Sequence, residues 1–392
     1  MIKLDLPQPD AAALEHSAQL AAIIRNTIAA NAGWIDFSQY MQLALYAPGL
    51  GYYSAGLQKF GAAGDFITAP EVSPLFAQSL ATPVAQCLGN MSDAVIMEFG
   101  AGSGKLAADI LLQLEQLNVL PDAYFIIELS AELQQRQANH IQQQVPHLYE
   151  RVVWLQSLPT KKINAVVLAN EVLDAMPVTQ FIKQDGQVFP LGVTVSGNAL
   201  AMMIGAANAG LQNRVAAIES GLGYALNNNY RSEMNGNIQP WFNAISALLN
   251  QAAVFIIDYG YARPEYYLPE RNMGTLMCYY QHRSFDDALR YPGLQDMTAF
   301  VDFTAVAEAA TTNGFELYGY TTQAHFLMDC GLPALLEKKL TNDERTNLQW
   351  IQQMKTLTLP SEMGERFKVM ALTKNISTEL SGFNLQDLRY SL

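Results

Sequence analysis

Residues 98–105 read Glu-Phe-Gly-Ala-Gly-Ser-Gly-Lys. Gly100, Gly102 and Gly104 follow the apolar run AVIMEF (94–99) and precede a stretch with Leu106, Ile110, Leu111, Leu114 and Leu117 on one helical stripe. Glycine lets a backbone turn sharply and lets a ligand approach closely. The N–H groups of a helix N-terminus favour an anionic group. The pattern therefore offers capture of a ligand that carries an anion. A phosphate-binding loop needs G-x-x-x-x-G-K-[ST]. Phe99 stands at its first glycine and Leu106 at its magnesium-binding hydroxyl, so that reading fails twice. A dinucleotide fingerprint can be forced onto it as Gly102-x-Gly104-x-x-Ala107, with Glu128 as the ribose acid 24 residues after Gly104. An ordinary strand–helix turn also accounts for the glycines.

A further reading matches without a gap. The E/D-x-G-x-G-x-G loop of class I S-adenosylmethionine (SAM) methyltransferases aligns with Glu98 through Gly104. Glu98 then faces the ligand's amino group. Gly100, Gly102 and Gly104, with Ala101 among them, pack against its carboxypropyl portion, and Glu128 takes the ribose hydroxyls.

The elements around this loop alternate. After 94–99 come the apolar runs AYFIIEL (123–129), 151–155, INAVVLA (163–169), AAVFIIDYG (252–260), 315–321 and FKVMALT (367–373). Continuous apolar strands separated by amphipathic helices predict an α/β fold with a mostly parallel sheet covered on both faces. Ahead of the sheet, residues 10–30 read as an amphipathic helix, Asp36 and Gln39 as a capping box, and Ser73-Pro74 as the start of a helix through Pro83, a candidate kink. Residues 47–73 form a long Gly- and Pro-punctuated loop, a length usually tied to function or disorder. Its aromatic content disfavours disorder. The rhythm breaks at Pro177: residues 178–195 predict a hairpin turning at Asp185-Gly186, and 196–245 carry no clear assignment. Ser130 and Asp302 are expected helix caps.

Composition narrows the partners. The 392 residues carry 23 Lys+Arg against 36 Asp+Glu, a net charge of −13, and half are hydrophobic. That excludes a disordered chain and argues against a sequence-independent grip on nucleic acid. Cys87, Cys278 and Cys330 are too sparse for a disulfide framework, and five histidines without an H-x-x-x-H pair predict no metal site. The N-terminus MIKLDLPQPD resembles neither a signal nor a transit peptide. No apolar run approaches the roughly 18 residues of a membrane span. A cytoplasmic protein is expected, with its oligomeric state open, a homodimer included.

Six further blocks accompany the glycine loop in a recognisable order. GDFITAPEVSPLFAQSLA (64–81) resembles GDF-x-T-[SA]-PE-[IV]-S-x-LFG of the MidA-like family of SAM-dependent methyltransferases. EFGAGSGKLAADIL (98–111) is similar to that family's ELGPGRGTLMADIL, and ANEVLDAMPVTQF (169–181) to its ANEFFDALPVHQF. FIIDYGY (255–261), TLMCYYQHR (275–283), PGLQDMTAFVDF (292–303) and GFELYGYTTQAHFL (314–327) follow in family order. The likeness runs from about residue 20 to residue 335. Family members usually carry Pro and Arg where this chain has Ala101 and Ser103, and His where it has Phe300. The eukaryotic members are mitochondrial complex I assembly factors. The resemblance implies SAM as cofactor and methylation of a protein arginine, with a core complex I subunit or its homologue as the acceptor.

That resemblance gives the acids roles. For an arginine acceptor, carboxylates can orient the guanidinium and localise electron density on the attacking nitrogen. Open α/β sheets place ligands at the carboxyl ends of their strands. There Glu171 is expected to orient the acceptor and Asn170 to touch acceptor or cofactor; a helix start at Glu171 and Asp174 is the plainer alternative. Asp258 ends the fifth strand and is expected in the same cleft, or as a turn acid. Thr68, Pro70 and Glu71 are expected in a lid or cofactor wall, with Thr68 on the methionine carboxylate. His282 is a candidate for proton removal, or a structural hydrogen-bonder. Tyr266, Tyr267, Tyr279 and Tyr280 could wall an acceptor channel or fill a core. The expected organisation is an N-terminal helical region and lid loop (1–90), a first half of a class I SAM methyltransferase core (91–177), an inserted cap (178–250) and the second half with C-terminal helices (251–392). The Rossmann-like sheet is expected to have seven strands, one antiparallel.

Overall fold

The computed structural model describes residues 6–55 and 67–392. The middle of the expected 47–73 loop, including Gly64, Asp65 and Phe66 of the GDFITAPE block, lies outside the described residues. The central sheet contains Ala94–Phe99 (β1), Tyr124–Ile127 (β2), Val152–Leu155 (β3), Ile163–Asn170 (β4), Leu249–Tyr261 (β5), Glu316–Thr322 (β6) and Phe367–Lys374 (β7). Their spatial order is β3-β2-β1-β4-β5-β7-β6. Only β7 runs antiparallel to its neighbours β5 and β6; the other pairings are parallel. This is the expected seven-stranded sheet with one antiparallel strand.

Successive residues of a strand face opposite sides, and β5 shows why its sequence is continuously apolar. Ala253, Phe255 and Ile257 enter the core on one face, and Ala252, Val254 and Ile256 the core on the other. The first face is covered by helices Pro74–Leu88 and Lys105–Gln116, the second by Ile238–Leu248 and Phe303–Thr312. Chain order reverses direction across the sheet between β1 and β4. The carboxyl ends of those strands and β5 lie side by side there, with Phe99 opposite Ala169 and Asn170 opposite Ile257. This is the crevice where open α/β sheets bind ligands.

In chain order the helices that matter for this crevice are Ala11–Ala30 (α1), Phe37–Tyr46 (α2), Ala69–Val72 (α3), Pro74–Leu88 (α4), Lys105–Gln116 (α5) and Ala131–Gln144 (α6). Asp36 caps α2 by accepting the Gln39 N–H at 2.9 Å, and Ser73 and Ser130 cap α4 and α6. The helix α4 continues through Pro83. Helices α1 and α2 bury Leu20, Ile24, Ile28, Phe37 and Tyr40 against a three-stranded sheet of Met277–Tyr280, Arg283–Phe285 and Asp296–Thr298.

The expected hairpin forms as Thr179–Gln184 and Gln187–Ser196, turning on Asp185 and Gly186, both at positive φ. It forms a second antiparallel sheet with Ile35–Asp36, Ala199–Ile204 and Tyr230–Met234. The unassigned stretch 196–245 therefore has regular structure. Asn208 caps the helix Ala209–Leu222 by accepting the Leu211 N–H at 2.7 Å, and Gly223 ends it at a φ of 75°. The following helix, Ile238–Leu248, buries Ile238, Phe242, Ile245 and Leu248 in the core of the central sheet. Asp302 caps Phe303–Thr312 as expected. Among the described residues no helix is long and apolar enough to cross a membrane.

Candidate active site

The turn from β1 into α5 needs its glycines. Gly100, Gly102 and Gly104 have φ of 65°, 54° and 83°, the left-handed region that side chains disfavour. A Cβ on Gly104 would stand 3.1 Å from Gln137 Cα, so α6 packs directly on the loop. Beneath it, Glu98 is buried and its Oε2 accepts the Tyr124 hydroxyl at 2.8 Å. Burial pushes the Glu98 carboxyl up to about 7, against the pull of that hydrogen bond. Glu128 follows β2. Its Oε1 accepts the Ser130 N–H at 2.9 Å and its Oε2 the Gln137 amide at 3.1 Å. The loop and Glu128 are thus brought together as the spacing predicted, and Ala101 is buried within the loop.

The short helix α3 spans from this loop to the end of β4. Thr68 precedes it and its side chain makes no capping bond; Pro70 is buried within it. At its middle, the Glu71 carboxylate accepts the Ser103 hydroxyl. At its start, the Ala69 N–H lies toward the Glu171 carboxylate and favours its ionised form. One turn of helix therefore touches both the glycine loop and the acids of β4.

Those acids sit on a strained turn. Glu171 has a φ of 53°, unusual for a residue with a side chain, and its N–H donates to Ile257 O at 2.8 Å. Asn170 Nδ2 lies 3.4 Å from Glu171 Oε1. Asp258 is fully buried, and its Oδ2 collects the N–H groups of Val172, Leu173 and Asp174 at 3.3, 3.0 and 3.2 Å. Its Oδ1 accepts the Tyr259 N–H at 3.0 Å. Four N–H donors favour its ionised form, while burial and the nearby Asp174 and Glu171 oppose it. Asp258 thus builds the turn, the plainer of its two expected roles.

Asp174 is the acid that points into the cluster. Its Oδ2 accepts the Tyr259 hydroxyl at 2.7 Å, and its Oδ1 is buried without a hydrogen-bond partner among the described residues. Asn170 Oδ1 is in the same condition. Burial, then the Asp174 and Asp296 charges, hold Glu171 up at about 8, with the Ala69 and Asn170 bonds opposing; burial likewise raises Asp174 to about 6.

Sequence reasoning missed the tyrosines from the N-terminal region. Tyr46 donates to Ala175 O at 2.9 Å, and Tyr53 to Asp296 Oδ1 at 2.8 Å. Their rings stack with centroids 5.4 Å apart. Phe300, at the family's histidine position, packs edge-on to Tyr259 at 5.1 Å and thus supports the partner of Asp174. Tyr266 and Tyr267 are buried and bonded to Glu233, so they fill a core rather than wall a channel. Among the described residues, no hydrogen bond or ion pair joins His282 to this cluster. It sits exposed at a φ of 61° in the turn between Met277–Tyr280 and Arg283–Phe285.

Residues 79–321, more than half of the chain, match the family model described as "Putative S-adenosyl-L-methionine-dependent methyltransferase". A crystal structure of a Burkholderia thailandensis protein bound to S-adenosyl-homocysteine superimposes with a TM-score of 0.94 at 43% identity, covering 99% of this chain and 100% of that one. The Drosophila melanogaster protein arginine methyltransferase NDUFAF7 homolog, mitochondrial, is 28% identical over 93% of this chain and 87% of its own. The Homo sapiens protein arginine methyltransferase NDUFAF7, mitochondrial, is 26% identical over 87% and 80%. The dinucleotide reading of the loop is thereby set aside. With a glycine turn at the switch point of a seven-stranded sheet and these relatives along nearly its whole length, the chain belongs to this family of SAM-dependent methyltransferases.

Proposed function

We propose that this methyltransferase acts on an arginine side chain of a protein. The observation that carries this reading is the pair of buried acceptor atoms without donors, Asn170 Oδ1 and Asp174 Oδ1, on either side of Glu171. An unpaired buried acceptor is costly, and a guanidinium brings five N–H donors in a planar fork together with a positive charge. Its charge would also favour the ionised form of Glu171. The names of the relatives point the same way.

In this reading Glu98, Gly100, Ala101, Gly102, Gly104 and Glu128 hold the cofactor, with Thr68, Pro70 and Glu71 as its second wall. Bound SAM supplies a methyl group on a positively charged sulfur. Glu171 and Asp174 orient the guanidinium so that one nitrogen lies in line with that methyl carbon. Transfer would form the N–C bond as the C–S bond breaks, the electron pair passing to sulfur and the surplus proton passing from the guanidinium to solvent water. Positioning of this kind supplies a large share of the barrier reduction.

The test is transfer of labelled methyl from SAM to matched peptides bearing Arg or Lys, and to purified core subunits of complex I. Label on arginine, lost in Glu171→Ala, is expected. Label on lysine, or no arginine transfer from a protein that binds SAM, overturns the proposal.

A further inference from the structure

Helix α6 reads as a Gln-rich surface helix, yet Gln137 on it is fully buried. Its Nε2 donates to Gly102 O and to Glu128 Oε2, both at 3.1 Å, and its Oε1 accepts the Trp154 indole N–H at 2.9 Å. The orientation of this amide is not arbitrary. An indole N–H only donates, and a carbonyl and a carboxylate only accept, so the amide oxygen must face Trp154 and the NH2 must face the other two. Gly104 packs on the same residue, since a Cβ there would approach Gln137 Cα at 3.1 Å. A single buried amide thus ties the middle of the glycine loop to the acid after β2, and a tryptophan of β3 fixes which way it points.

We infer that Gln137 is a positioning residue for SAM, holding the Gly102 carbonyl and the Glu128 carboxylate in one register so that loop and ribose acid meet the cofactor as a preformed unit. The inference rests on the reading of Glu128 as the residue that binds the ribose hydroxyls. It does not depend on which acceptor is methylated. Gln137 touches no reacting atom in this account; it acts through Glu128 and the loop. Gln137→Met keeps the bulk and removes both donors. Gln137→Glu at neutral pH places a carboxylate against two acceptors, and only its protonated form can donate again.

The experiment measures dissociation constants of S-adenosylhomocysteine and its 2′-deoxy analogue by calorimetry, together with steady-state kinetics for SAM. The wild type is expected to prefer the 2′-hydroxyl by about tenfold, the order of one hydrogen bond to a charged group. Gln137→Met should reduce that preference to about threefold or less and should raise KM for SAM by about tenfold, more than it lowers kcat. Gln137→Glu should bind more weakly at pH 8 and regain affinity toward pH 5, which wild type and Gln137→Met should not. A merely structural residue would lower Tm without moving the 2′-hydroxyl preference or creating that pH dependence. If Gln137→Met does not fold, Trp154→Phe removes only the donor that orients the amide and should give a smaller loss of the same preference. A wild type indifferent to the 2′-hydroxyl would sink the Glu128 reading and this inference with it. A wild type that prefers the hydroxyl, with folded variants that keep the full preference, would sink the Gln137 inference alone.

Discussion

Asp258 Oδ2 accepts the backbone N–H of Leu173 at 3.0 Å, and the N–H groups on either side of Leu173 converge on the same oxygen. The fifth strand thereby holds the turn that follows the fourth, and Glu171 and Asp174 are presented by a backbone they do not themselves organise. Asp258→Ala would take the carboxylate away from four N–H groups, two of them buried and two partly buried. It is expected to cost about 3 kcal/mol of stability, read from urea unfolding. An unchanged unfolding midpoint would refute the role assigned to Asp258.

The acids of the cleft predict an unusual pH dependence. Glu171 is raised from 4.5 to about 8, Glu98 from 4.5 to about 7 and Asp174 from 3.8 to about 6. In each case the folded state keeps a proton that the unfolded chain has already released. Stability of the ligand-free protein should therefore fall as pH rises from about 4 toward 8. Glu171→Gln, which cannot ionise, should flatten this slope most strongly between pH 6 and 8. Thermal melts across that range check it, and a wild-type slope of the opposite sign would contradict the burial of these acids.

The same proton bears on catalysis. A cationic acceptor needs Glu171 ionised, so kcat/KM for the acceptor should rise with pH and level off above an apparent pKa near 8. Glu171→Gln should lower kcat/KM by about 100-fold and remove that limb. A pH profile unchanged by the substitution would show that Glu171 does not meet the acceptor.

Much of this site was legible in the sequence because local rules set it. The left-handed glycines sit where a strand must turn into a helix, and Glu98 and Glu128 stand at fixed offsets from that turn. The sheet was legible because β1, β4 and β5 are apolar on both faces. What was not legible arises from contacts distant in sequence. Tyr46 meets Ala175 across 129 positions, and Tyr53 meets Asp296 across 243. In α6 Gln137 stands between Leu133 and Ile141 at helical spacing, which marks it as inward, but nothing local names its partners Gly102, Glu128 and Trp154. Residues 196–245 escaped assignment because Ala- and Asn-rich segments carry weak periodicity, although Asn208 and Gly223 were the cap and stop of a helix.

Ser103 and Glu71 join the glycine loop to α3, and Lys105 beyond them pairs with Asp109 on the helix itself. Ser103→Ala removes the hydroxyl that the Glu71 carboxylate accepts, without disturbing a core. One hydrogen bond to a charged group, partly open to solvent, is of the order of 1 kcal/mol. SAM affinity is expected to fall about fivefold, with Tm nearly unchanged. A variant that binds SAM as the wild type does would mean that α3 contributes nothing to the cofactor wall.

Tyr259 and Phe300 define the last expectation. The Tyr259 hydroxyl is the one side-chain donor on Asp174 among the described residues, and Phe300 packs against the Tyr259 ring. Tyr259→Phe keeps the packing but leaves Asp174 Oδ2 without its donor, so the ionised form of Asp174 loses support and its carboxyl rises further above 6. The acceptor then has to displace a more tightly held proton. KM for the acceptor should increase by about tenfold near pH 7, and the loss should shrink at pH 9, where the acid is ionised in both proteins. SAM affinity, set by residues on the other side of α3, should stay within twofold. Steady-state kinetics at the two pH values decide this. A loss of equal size at both would assign the Tyr259 hydroxyl to packing rather than to the charge of Asp174.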